Sequence, residues 1–139
     1  MSKKKKKLLR HLANDIYCRI GVSPLHGVGV IAIRKIPKGV NPLFSLVPLK
    51  EVEFKPDEIK DLPKATRKQI ERFCYCDAKR VMIPVIGLNI LNFSAYLNHS
   101  KEPNVMMHED GRYEALRTIK AGEELLMDYD HSFGEEHIF

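Results

Sequence analysis

Hydrophobic and polar positions change rhythm several times along the chain, and each change marks a different element. From Ile16 to Ile36 the stretches "IYCRIGVS", "PLHGVGV" and "IAIRKIP" read as two short strands around a glycine-rich turn. Gly27 and Gly29 flank Val28 there, a spacing that permits positive φ or close approach of the backbone to a ligand, although a plain hairpin turn accounts for it equally well. "PKG" at 37–39 is a further turn. "LFSLVPLKEVEF" is apolar and β-rich, but Pro42 and Pro48 argue for edge or interrupted strands. Between residues 56 and 79 charge rises, and Ile70, Phe73 and Cys74 fall at helical spacing. With Thr66 and Gln69 as a capping box, the pattern predicts a helix from about Thr66 to Asp77. "RVMIPVIG" returns to strand composition, "LNFSAYLN" suits a short helical turn, and "NVMMHEDGRYEALRTI" predicts a hairpin turning on Asp110-Gly111. "KAGEELLMDYD" adds a turn and one more strand. Many short strands, few helices, no regular βαβ alternation and no internal repeat describe a mainly β domain.

Charge changes this picture only at the N-terminus. The 139 residues carry a net charge of +5, and without the five lysines Lys3–Lys7 the 23 basic residues fall to 18, equal to the 18 acidic ones. The excess therefore sits in residues 1–10, read as a solvated, disordered leader in preference to an import signal or nucleic-acid arm, so nucleic acid is only weakly suggested as a partner. Hydrophobic residues make up 44%, enough for one domain with a core. No apolar run is long enough to span a bilayer, and none follows the basic start as in a secretory signal, so a soluble intracellular protein without a membrane partner is expected. Three cysteines, Cys18, Cys74 and Cys76, cannot all pair, which agrees with a reducing compartment. "CYC" at 74–76 could offer metal ligands, yet no second Cys/His cluster lies at zinc spacing, and no metal is expected.

Polar residues crowd one further stretch, "AYLNHSKEPNV" at 95–105, too polar for a core strand. In chain order "HGVGV", "PKG", "YLNHSKEPNV" and "RTIKAGEELLMDY" together resemble the SET domain, the protein-lysine methyltransferase fold that uses S-adenosylmethionine. The resemblance covers 16–130, leaving 131–139 as a short tail, and is most specific in its second half. It implies a β-clip-like fold of small sheets with knot-like C-terminal threading, which brings residues 96–104 alongside the strand through Tyr129.

The same resemblance implies roles. Gly27 and Gly29, with the backbone of His26 and Val28, correspond to the loop that meets the methionine end of the cofactor. Asn98 and His99 match the pair that holds the cofactor, the asparagine amide offering donor and acceptor together. Tyr129 matches the catalytic tyrosine, whose hydroxyl orients the substrate amine in a narrow channel. Tyr96 and Phe44 fall at channel positions, and Tyr75 at a place that could flank the cofactor. Ser100, Pro103 and Asn104 shape the loop, and Glu123, Glu124 and Asp128 belong to turn and knot structure. The implied partner is a protein or peptide lysine, such as that of a histone, and the nucleus is the implied destination in a eukaryotic host.

Three departures qualify the match. Where many members carry Glu-Tyr after the lysine-glycine turn, this chain has Phe44 and Ser45, which bears on methyl number and keeps a non-catalytic SET-fold interaction module as the alternative. Ala95 stands where many have arginine. Lys101 stands where nuclear members have a zinc-binding cysteine, and no cysteine follows Cys76, as in the small free-standing viral and microbial members. Closure of the channel then falls to "HSFGEEHIF", with Phe133 and Phe139, to the substrate, or to a homodimer.

Overall fold

The computed structural model describes residues 1–130; the tail with Phe133 and Phe139 lies outside the described residues. In chain order the elements are α1 (Lys3–Asn14), β1 (Cys18–Val22), β2 (Val28–Ala32), β3 (Glu51–Phe54), α2 (Lys64–Phe73), β4 (Tyr75–Cys76), β5 (Val81–Pro84), β6 (Asn98–His99), β7 (Val105–Met107), β8 (Tyr113–Ala115) and β9 (Glu124–Met127). Single 3₁₀ turns cover Pro56–Ile59 and Phe93–Tyr96. Mostly β content with two helices matches the fold class expected. The described residues form two compact units, 1–46 with 96–130, and 47–95.

Residues 1–10 correct the expectation of a disordered leader, because most of them belong to α1. Ser2 caps the helix by accepting from the Lys5 N–H, and lysine and leucine are good helix formers. Arg34 holds the far end, donating to the carbonyls of Asn14 and Ile16 while its guanidinium lies 3.9 Å from the Tyr17 ring centre. No residue of α1 is buried, so capping and this anchor, not core packing, define it.

The first unit is built on a six-stranded sheet. β1 and β2 form the antiparallel hairpin, β2 pairs with β9 through Val30↔Leu125 and Ile31↔Glu124, and β7 pairs with β8. β9 also runs parallel to β6 (Asn98↔Leu126, His99↔Met127) and meets β7 at Val105↔Met127. It is thus the shared strand of the sheet. Its inward residues Leu125 and Met127 pack with Val30, Ile36, Leu97, Val105, Ala115 and Ile119 in one core. Buried Asn104 fastens its own segment to β9: its amide donates to the Glu124 carbonyl (2.8 Å) and accepts from the Leu126 N–H (2.7 Å). Loop shaping therefore understates Asn104, which holds two segments of the chain together.

In the second unit β3, β5 and β4 make a three-stranded antiparallel sheet. α2 begins at Lys64 after Pro63 and ends at Phe73, so neither the capping box at Thr66 nor a run to Asp77 is realised. Proline at the cap supplies the start, and Tyr75–Cys76 leave the helix to pair with Val81–Met82. Only Glu51–Phe54 of the β-rich stretch 43–54 forms a strand, the prolines upstream having no ladder hydrogen to give.

Candidate active site

Ser23 organises the turn between β1 and β2. Its N–H donates to the Gly27 carbonyl (2.8 Å), and its hydroxyl oxygen accepts from the N–H groups of Leu25 and His26 (both 3.0 Å). Gly27 completes the turn at φ 54°, a left-handed conformation that favours glycine. Gly29 is needed for space: a Cβ there would collide with the Glu124 carboxylate and come within 3.1 Å of the Asn98 amide nitrogen.

Asn98 closes this loop onto β6. Its amide donates to the carbonyls of His26 and Val28 (both 3.1 Å) and to Glu124 Oε2 (2.7 Å). The donor side of the amide is therefore engaged within the protein, while among the described residues no donor meets its Oδ1. Glu124 Oε1 accepts the Ser23 hydroxyl proton at 2.7 Å. One carboxylate joins the turn to Asn98.

His99 and Tyr129 meet next to this network. Parallel pairing of His99 with Met127 sets them side by side, their rings in an edge contact at 5.3 Å. The Tyr129 N–H donates to His99 Nδ1 (3.1 Å), which leaves the proton of the neutral ring on Nε2. The Tyr129 hydroxyl donates to the Leu97 carbonyl. Burial, with the Tyr113 hydroxyl nearby adding to it, pushes the phenol up to about 12. It is an uncharged hydroxyl throughout the neutral range.

Beside the tyrosine, His99, Asp128 and Asp130 place potential ligand atoms within 4.8 Å of one another. Lys101 supplies the positive charge there, pairing with both carboxylates. The two aspartates hold its ammonium pKa above the usual value, Asp130 more than Asp128.

The structure thus brings together His26, Gly27, Val28, Gly29, Asn98, His99 and Tyr129 from turns and strands far apart in sequence. Tyr96 packs half-buried against the core of the same unit, whereas Phe44 is 47% exposed and faces the His11 ring of α1 at 6.0 Å. Tyr75 belongs to the second unit, where its hydroxyl donates to Asp77 (2.8 Å) beneath the Arg80 guanidinium. Sequence reasoning passed over Ser23 and left Glu124 to turn structure. A serine two residues before the Leu25–His26 turn is a usable signal for the first, and nothing local marks the second.

Comparison with known proteins agrees with this architecture. The profile of the SET domain matches residues 27–130, and the chain belongs to the SET-domain family. A candidate histone methyltransferase of Plasmodium falciparum shares the fold at a TM-score of 0.52 and 20% identity, over 86% of this chain and 98% of that one. A humanized mutant of the Chaetomium thermophilum Polycomb Repressive Complex 2, bound to the inhibitor GSK126, matches at a TM-score of 0.54 and 21% identity, covering 87% of this chain and 16% of that one. No curated protein matches.

Proposed function

We propose that the protein is an S-adenosylmethionine-dependent protein-lysine N-methyltransferase that takes its substrate lysine from an extended segment of a protein such as a histone. Family membership supports the reaction class, and one observation carries the site: the half-buried, uncharged Tyr129 hydroxyl stands beside the Asn98–His99 strand, whose Asn98 amide reaches the turn at residues 23–29.

The residues present suit the methyl donor. S-adenosylmethionine supplies, when bound, a methyl group activated by a sulfonium. Asn98 Oδ1, which meets no donor among the described residues, suits an ammonium group, and the tie from Asn98 Nδ2 to Glu124 and two carbonyls fixes the amide's orientation. The left-handed Gly27 shapes a turn whose backbone can lie against a ligand. His26, Val28, Gly29 and His99 complete the binding set.

Tyr129 carries the positioning of the substrate. Its proton is given to the Leu97 carbonyl, so the hydroxyl meets an incoming amine as an acceptor. An amine that donates one N–H to it keeps its lone pair free for displacement at the methyl carbon. A protonated lysine, with an ordinary pKa of about 10.4, has no such pair, and the half-buried, uncharged phenol offers no negative charge to hold it in that form. The contribution is orientation more than proton transfer. Tyr96 and Phe44 are assigned to the channel wall.

The test is transfer of labelled methyl from S-adenosylmethionine to histones and to a host lysate, with Tyr129→Phe as control. Transfer by the wild type that drops about a hundredfold in the variant is expected. Cofactor binding in a calorimeter without any transfer would instead favour an interaction module, the reading that Phe44-Ser45 keeps open.

A further inference from the structure

Glu124 stands out among the acids of the first unit. Glu123 pairs with Arg117, and Asp128 and Asp130 with Lys101, while Glu114 meets His108, a cation only when protonated. The half-buried Glu124 has only neutral partners among the described residues, the Ser23 hydroxyl and the Asn98 amide, both at 2.7 Å. Such donors hold the carboxylate in place and leave its charge unmatched. That charge lies against the backbone of the turn, because the missing Cβ of Gly29 is the space it occupies.

From this geometry we infer that Glu124 is the positioning and specificity residue that lets the site distinguish the methyl donor from the spent product. The inference rests on the cofactor reading above. S-adenosylmethionine carries a sulfonium, an ammonium and a carboxylate, for a net charge of +1. Loss of the methyl group leaves an uncharged thioether, S-adenosylhomocysteine, with net charge zero. A fixed negative charge behind the loop and behind Asn98 attracts the first by one unit more than the second, and in a half-buried setting solvent screens that attraction only in part. Asn98, Gly27 and the strands contribute shape that both ligands share, so they cannot make this distinction.

The experiment measures dissociation constants of full-length protein for S-adenosylmethionine and S-adenosylhomocysteine by calorimetry, in the wild type, Glu124→Gln, Glu124→Asp and Ser23→Ala, each first checked for folding by circular dichroism. Glutamine keeps the size and the acceptor for Asn98 while removing the charge. Glu124→Gln is expected to weaken the donor about three- to tenfold, the range of one charge attraction short of direct contact, with product affinity nearly unchanged. Glu124→Asp and Ser23→Ala, which keep the charge, are expected to shift both ligands together and leave their ratio as in the wild type. Equal weakening of both ligands by Glu124→Gln, or no change in either, overturns the inference while leaving the cofactor reading intact. A wild type that binds neither ligand overturns both. Loss of the ratio in Glu124→Asp, with the charge still present, also counts against it.

Discussion

At the scale of single residues, burial and hydrogen bonding set what each group can do. Tyr129 has its phenol at about 12 against an ordinary value of about 10, so losing the proton is harder in the folded chain than in the unfolded one. Its contribution to stability is complete below pH 10 and disappears as pH rises from 10 towards 12. Urea denaturation over that window is expected to show the wild type losing stability faster than Tyr129→Phe. The rate of methyl transfer is expected to climb with pH as the substrate amine loses its proton, with no inflection from Tyr129 below about pH 11. Cys18 follows the same logic: burial pushes its thiol up to about 12, and alkylation of the native protein at pH 8 is expected to spare it until the chain unfolds, as peptide mass mapping would reveal. Buried Asn104 bonds the backbone of Glu124 and Leu126 on β9, so Asn104→Ala leaves two backbone groups without partners and is expected to cost about 2–4 kcal/mol in chemical denaturation.

Elements differ in how far their residues announced them. The β1–β2 hairpin and the β7–β8 hairpin follow from local alternation and from the Gly27 and Asp110-Gly111 turns, and both stand where the sequence placed them. α1 was misread because a lysine run resembles a solvated tail, although Ser2 and the leucines at 8, 9 and 12 already had the spacing of a capped helix. The end of α2 was overrun because Cys74 continues its apolar period, while strand pairing of Tyr75 with Met82, a tertiary event, decided the boundary. The site divides in the same way. Asn98, His99 and Tyr129 were legible through a motif, whereas Glu124 acts on Ser23 across 101 positions and on Asn98 across 26, beyond any local pattern. Within the turn, Gly27→Ala is expected to cost about 1–2 kcal/mol from strain at positive φ. Gly29→Ala acts by displacing Glu124, so it is expected to weaken cofactor binding more than Gly27→Ala does, in a calorimetric comparison of the two.

For the whole molecule, the two compact units and the exposed α1 separate what folding needs from what surrounds it. No residue of α1 is buried, and its contact with the body runs through His11 and the Arg34 bonds at residues 14 and 16. Removal of residues 1–10 is therefore expected to change unfolding free energy by less than about 1 kcal/mol, measured by urea titration. Among the described residues no helix is long and apolar enough to cross a membrane.

β9 has one more consequence, for the order in which the protein can be made. A ribosome delivers residues 18–32 early, and their hairpin can close at once. Its outer edge at Val30 and Ile31, like the Asn98–His99 strand, then waits for residues 124–127, nearly the last of the described chain. Until those few residues emerge, the nascent chain presents an unpaired sticky edge and no place for a ligand. Synthesis that stalls before residue 124 is expected to yield an aggregation-prone fragment, not a partly working fold.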